Sequence, residues 1–207
     1  MTEQPPEQTP AEEWADVGGR FTALVDAVPA GAWDAPAPVA GWAARDVVRH
    51  LVEWFPAFLE SGAGVRLQVW TSADDDPAAA WHELDDGVRR LLDDPATSTR
   101  VLSNPHIGDV PLDRAVSRFF TGDVFMHAWD LARATGQDAR LDPARCEAML
   151  AGMEPMEDAM RASGQYGPRI EVPAGADVQT RLLGFIGRDP GWVGTSTAGG
   201  ASGPAGW

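Results

Sequence analysis

The sequence contains no lysine and a single cysteine among its 207 residues. With Cys146 alone, an internal disulfide and a zinc site built on several cysteines are both excluded, so any metal must be held by nitrogen and oxygen. The sixteen basic residues are all arginine, and thirty-one acidic residues bring the net charge to -15. Because such a charge repels phosphate backbones and anionic lipid headgroups, we expect no nucleic-acid partner.

Long apolar runs are also missing. No stretch reaches the roughly 18 apolar residues that a membrane-spanning helix needs. The first residues, "MTEQPPEQTPAEE", lack the basic start and apolar core of a secretory signal. We therefore expect a cytoplasmic protein without membrane contact, acting on a small molecule as a monomer or a homodimer.

Helical periodicity dominates what the sequence does contain. Residues 98–112, "STRVLSNPHIGDVPL", are the exception, because their turn-forming residues between short β-prone runs indicate a loop or small hairpin. The fold class is thus all-α, a helical bundle in one domain over residues 11–192, with flexible tails at 1–10 and 193–207. Apolar residues recur at helical spacing over roughly 11–28, 43–62, 78–92, 112–135, from 142 onward and over 177–187.

Two acids and a histidine interrupt the helix "FFTGDVFMHAWDLARATG" where it is most apolar. Asp123 and His127 are four residues apart and share one face, with Asp130 one step further along. An Asp–His ion pair would satisfy both groups without a metal. His50 likewise interrupts an apolar face of the second helix, which it shares with Val47, Leu51, Trp54 and Phe58. Since two helices of a bundle can meet around one ion, His50, Asp123 and His127 together predict a metal site with an open position.

Three stretches carry a resemblance to a known family: "GWAARDVVRHLVEW", "GDVFMHAWDLARATGQ" and "YGPRIEVPAGADVQTRLLGFIGRDPGW". In this order they resemble the DinB-like superfamily and, within it, the mycothiol-dependent maleylpyruvate isomerase-like proteins. The resemblance implies a DinB-like four-helix bundle with additional short helices. It also implies one divalent metal, held here by His50, Asp123 and His127. The isomerases of the family carry Glu at the position of Asp123.

Zinc is the metal that we expect first, with nickel, iron, manganese and cobalt as alternatives. The resemblance further implies mycothiol as a cosubstrate, and hence a metal-dependent transferase or isomerase acting on a small electrophile. Two alternatives stay open. One is a metal-dependent hydrolase or lyase that activates water. The other is a metal-bearing protein that binds a small molecule without catalysis.

Other polar residues have simpler interpretations beside the functional ones. Asp130 is a candidate to orient His127 or to serve as an extra ligand, but a structural pair with Arg133 or Arg45 is favoured. His106 and Arg45 are candidate acid or base groups, although a histidine in a turn is more often exposed. We expect His82 to lie on the surface. Cys146 and the methionines at positions 149, 153, 156 and 160 are predicted to pack in the core.

Overall fold

The computed structural model describes residues 8–162, 164 and 166–194, and most of the predicted tails lie outside them. The architecture is all-α with one small hairpin, as predicted. None of the helices described is long and apolar enough to cross a membrane. The elements are α1 (Pro10–Asp26), α2 (Ala44–Ala63), α3 (Pro77–Asp93), β1 (Val101–Asn104), β2 (Gly108–Pro111), α4 (Leu112–Ala115), a π-helical segment (Val116–Thr121), α5 (Gly122–Thr135), α6 (Pro143–Met153), α7 (Glu157–Ala162) and α8 (Val178–Phe185), with short 3-10 turns between some of them.

The helices begin where short polar side chains cap them. The Thr9 hydroxyl accepts a hydrogen bond from the backbone N–H of Glu12, whose carboxylate accepts one from the N–H of Thr9. The carboxylates of Asp76, Asp142 and Asp177 cap α3, α6 and α8, each by accepting a hydrogen bond from the backbone N–H three residues later. These caps satisfy N–H groups that have no partner inside the helix. The predicted start of α6 is confirmed, and α1 and α3 each begin one residue earlier than predicted.

The chain divides into two compact units. The first contains residues up to Ala27 and Val48–His127, and the second contains Val28–Val47 and the residues from Ala128 onward. Helices α2 and α5 each contribute to both units. The single domain over residues 11–192 stays a prediction.

A buried carboxylate joins α1 to α3 in the first unit. Asp85 is 5% exposed, and its oxygens accept hydrogen bonds from Trp14 Nε1 at 2.9 Å, Thr22 Oγ1 at 3.2 Å and Arg89 Nε at 3.0 Å. Trp81 Nε1 donates in turn to Thr22 Oγ1 at 2.9 Å. Two buried indoles therefore have their N–H groups satisfied through one acid and one hydroxyl.

The predicted hairpin is confirmed and is anchored on α2. Strands β1 and β2 pair antiparallel from Val101 opposite Pro111 to Asn104 opposite Gly108. Leu102 is fully buried, and a Cβ added at Gly62 of α2 would lie 2.8 Å from its Cγ. Only glycine allows the strand to approach α2 this closely.

The second unit has its core between α6 and α8. Leu150 of α6 and Leu182 and Phe185 of α8 are buried together with Cys146. The Gln179 side chain donates to the carbonyl of residue 139 and accepts from the N–H of residue 141. The amide therefore ties α8 to the segment that leads into α6.

The methionine stripe of α6 and α7 is not core, contrary to prediction. Met149, Met153 and Met160 are half-buried, and Met156 is 42% exposed. The reason is that α6 ends at Met153, where a 3-10 turn changes the helical phase, so the four side chains do not form one continuous face. The core prediction for Cys146 is confirmed.

Replacing Asp85 with alanine is expected to destabilise the protein by about 2–4 kcal/mol, because it leaves buried donors without an acceptor. Urea unfolding would measure the change. The matched control is Asp86→Ala on the exposed side of the same helix, for which we expect a change within about 0.5 kcal/mol. Equal effects of the two substitutions would contradict the role given to Asp85.

Cys146 is expected to resist alkylation in the folded protein. Burial raises the pKa of its thiol to about 11, and the charges of Asp142 and Asp177 add to the effect. Because the thiolate is the reactive form, iodoacetamide at pH 8 should label the folded chain more than about 100-fold more slowly than the urea-unfolded chain. Mass spectrometry of timed samples would show this. Similar rates in the two states would disprove the burial of the thiol.

Candidate metal centre

The π-helical segment sets the direction of the residues that follow it. The Thr121 hydroxyl donates to the carbonyl of Val116, five residues earlier, at 3.4 Å. A π turn holds about one residue more than an α turn, and this extra residue rotates the rest of the helix by about 100°. Phe120 is thereby buried, while Asp123 and His127 follow on α5. The predicted extent of this helical run is confirmed, but the π turn was not predicted.

Helix α2 presents His50 at the edge of its buried face. His50, Trp54 and Phe58 follow one another at four-residue intervals and are all half-buried. The predicted face is therefore only partly buried: Val47 and Leu51 lie in the core, while His50, Trp54 and Phe58 lie at its edge. Apolar residues cover two adjacent strips of α2, so helical periodicity alone could not separate the inner strip from the outer one. The inner strip, which is buried, consists of Val47, Val48, Leu51, Phe55 and Leu59.

The structure brings the three predicted ligands together within the first unit. His50 Nε2 lies 3.1 Å from Asp123 Oδ2, and His127 Nε2 lies 3.5 Å from Asp123 Oδ1. One donor atom from each residue can be chosen so that all three lie within 4.8 Å of one another. Ligand atoms around a tetrahedral zinc ion are roughly 3.3 Å apart, as follows from zinc–ligand distances near 2 Å. The three side chains would thus need only small movements to hold one divalent ion.

The site is shielded but not sealed. The side chains of His50, Asp123 and His127 are 10%, 20% and 7% exposed, respectively. The group is therefore partly accessible to solvent.

Asp123 is held as a carboxylate. Burial alone would raise its pKa, but the charge of His127, the hydrogen bond and charge of His50 and the hydrogen bond from Trp54 together outweigh that effect. The net result is a pKa below the ordinary value of an aspartate. Asp123 therefore supplies a negative charge at neutral pH, as a metal ligand must.

An Asp–His ion pair is the alternative explanation for these contacts. The His50–Asp123 distance of 3.1 Å fits a hydrogen bond, whereas 3.5 Å between His127 and Asp123 is longer than a well-formed one. The imidazole rings of His50 and His127 are themselves only 4.9 Å apart between centroids. A shared divalent ion is the other explanation, and it requires three donor atoms close to one another, as they are here.

The other predicted candidates lie in ordinary polar surroundings. Asp130 is buried, and its two oxygens accept hydrogen bonds from Arg188 at 3.0 to 3.2 Å. It therefore forms a structural pair with an arginine, but Arg188 is neither of the two arginines that were predicted. The role of Asp130 in orienting His127, or as an extra ligand, stays a hypothesis. Arg45 contacts Asp34 at 2.8 Å. His106 is exposed in the hairpin turn.

His82 is exposed as predicted, and its Nε2 lies 2.8 Å from Asp26 Oδ1. Both residues belong to the first unit, and neither is among the three ligands. His82 therefore offers a surface histidine for comparison with the two at the site.

Trp54 is the residue of this site that sequence reasoning missed. Its Nε1–H donates to Asp123 Oδ2 at 3.0 Å. In the sequence it counted only as an apolar member of the α2 face. The available signal was its spacing, because Trp54 lies one helical turn beyond His50 and so on the same side of α2.

Comparisons with known proteins give the family of the chain. The model of the mycothiol maleylpyruvate isomerase N-terminal domain matches residues 14–132, a range that includes all three ligands and more than half of the chain. Two uncharacterized proteins of Mycobacterium tuberculosis, from strains CDC 1551 / Oshkosh and ATCC 25618 / H37Rv, are each 27% identical over 177 residues, covering 81% of this chain and 91% of theirs. No solved structure matches significantly. With an acid-x-x-x-histidine pair on one helix and a histidine on another inside the matched range, the chain belongs to the mycothiol maleylpyruvate isomerase N-terminal domain family.

Proposed function

We propose that the protein binds one divalent metal ion through His50, Asp123 and His127 and catalyses the reaction of a small thiol with a small electrophile, as a transferase or isomerase. The observation that carries the proposal is the convergence of three donor atoms within 4.8 Å at a site that solvent can reach. Membership of the family supports mycothiol as the thiol.

The donor set fits a divalent ion of the first transition row. Two imidazole nitrogens and one carboxylate oxygen suit zinc, and also nickel, iron, manganese and cobalt. Three protein ligands leave at least one coordination position for an exogenous molecule. The chemistry that such an ion supplies when bound is to lower the pKa of a coordinated thiol, so that sulfur attacks as thiolate at neutral pH.

The three ligand residues would hold the ion and would not transfer protons. Because coordination occupies their lone pairs, His50 and His127 would hold the ion and would not act as general bases. Any proton transfer must use another group, for which His106 and Arg45 remain the hypotheses. The 20% exposure of Asp123 supports a catalytic site over a closed binding module, since the carboxylate is in contact with solvent.

Replacing His127 or His50 with alanine is expected to remove most of the bound metal, because each substitution leaves only two ligands. Elemental analysis of protein purified without added metal would measure the metal content per chain. His82→Ala is the matched control, because this exposed histidine pairs with Asp26 away from the three ligands. Unchanged metal content in both ligand variants would refute the assignment.

Metal occupancy is expected to fall as the pH drops below about 6.5, where free imidazole takes up a proton. The lowered pKa of Asp123 keeps the carboxylate ionised over this range, so the loss of metal would report on the histidines. Equilibrium dialysis at a series of pH values would follow the occupancy. Full occupancy down to about pH 4 would speak against histidine ligation.

Turnover is expected to depend on both metal and thiol. A free thiol with a pKa near 8.5 is only a few per cent ionised at pH 7, so complete ionisation can accelerate its attack by at most roughly 30-fold before any effect of positioning. The assay compares metal-loaded and metal-stripped protein with mycothiol, other small thiols and an unsaturated carbonyl compound. Turnover that requires metal but has the same rate with and without each thiol would favour the hydrolase or lyase. A rate that changes with neither metal nor thiol would favour the non-catalytic binding protein.

A further inference from the structure

We infer that Trp54 is a positioning residue for the metal centre: its indole N–H holds Asp123 in the orientation that presents the carboxylate to the ion. The inference rests on the proposed metal binding. It assigns a function to a side chain that is neither a ligand nor a candidate acid or base.

The contacts of Asp123 show why the indole matters. Oδ2 lies 3.1 Å from His50 Nε2 and accepts a hydrogen bond from Trp54 Nε1 at 3.0 Å, while Oδ1 lies 3.5 Å from His127 Nε2. Once both imidazole nitrogens coordinate an ion, neither can donate a proton to the carboxylate. Among these three contacts, the one from Trp54 is the only hydrogen bond that persists when the metal is bound.

The chemistry of indole restricts Trp54 to this role. Its Nε1–H is a donor without an acceptor lone pair, and it does not titrate in the physiological range. Trp54 therefore cannot ligate the ion or transfer protons. It can orient the carboxylate, whose remaining lone pairs stay available to an ion.

Aromatic packing holds the indole in place. The Trp54 ring lies 5.5 Å from Phe55, 5.7 Å from Phe58 and 6.0 Å from Phe120, measured between ring centroids. Phe55 and Phe120 stack on each other in parallel at 3.8 Å, which joins α2 to the π-helical segment. A ring fixed on several sides has few rotamers, so its N–H is already directed at Asp123 before an ion binds.

The test is Trp54→Phe, which keeps an aromatic ring and removes the donor. We expect the affinity for Zn²⁺, measured by competition with a chelator, to fall by about 10- to 100-fold, as is typical when the partner of a ligand is lost. The visible absorption spectrum of the Co²⁺-loaded protein should change as well, because the carboxylate ligand changes its orientation. Trp70→Phe is the matched control, since Trp70 is 82% exposed and should affect neither measurement.

The outcomes separate this inference from the proposed function. If the wild-type protein binds no Zn²⁺, the proposed metal binding fails. If the wild type binds and Trp54→Phe has the same affinity and the same Co²⁺ spectrum, the inference fails and the metal centre stands. A purely structural role for Trp54 would lower the melting temperature of the metal-free variant but leave the Co²⁺ spectrum of the folded protein unchanged, which also overturns the inference.

A measurement on the wild-type protein covers the case in which Trp54→Phe does not fold. In the NMR spectrum of the Co²⁺-loaded protein, the indole N–H resonance with the largest paramagnetic shift should exchange slowly with solvent, as expected for a donor bonded to a metal ligand. Exchange as fast as that of a solvent-exposed indole, or the lack of any shifted indole resonance, would overturn the inference.

Discussion

The ionised carboxylate of Asp123 is the constraint on which the rest of the site depends. A shielded negative charge is costly unless cations or donors surround it, and here one indole N–H and two imidazoles do so. The three partners come from α2 and α5, so the charge can be satisfied only if both helices keep their relative position. The stacked rings of Phe55 and Phe120 provide that fixed position within the first unit. The geometry of the polar site therefore depends on the packing of the aromatic core beneath it.

A second carboxylate, Asp85, shows the contrasting solution. It is buried more deeply than Asp123, but its oxygens accept hydrogen bonds from Trp14, Thr22 and Arg89. No histidine is among these partners, and two of them, Trp14 and Thr22, lie on α1, opposite Asp85 on α3. The two acids differ in the chemistry of their neighbours. Asp85 is surrounded by fixed hydrogen-bond donors, as suits a structural role, whereas Asp123 lies beside two histidines that are potential metal ligands.

Local sequence signals were enough to predict most helix starts, the hairpin and which three residues meet at the candidate site. Caps such as Asp76 and Asp142 act within one turn, and a four-residue spacing alone places Asp123 and His127 on one side of a helix. The features that were missed depend on packing between distant segments. The half-buried position of Trp54, the acceptor role of Asp85 and the exposure of Met156 follow from which helix lies opposite, and periodicity contains no information about that.

The π-helical segment has a consequence for comparing relatives. Its extra residue is an insertion that the helix absorbs without a loop, so a relative that lacks one residue between positions 116 and 121 can still form an uninterrupted helix. In such a relative, the acid-x-x-x-histidine pair would point about 100° away from the histidine on α2. The pair could then be fully retained in an alignment while the centre itself was lost. Segment length ahead of the pair, and not only the identity of the ligands, therefore distinguishes members that can assemble this centre from those that cannot.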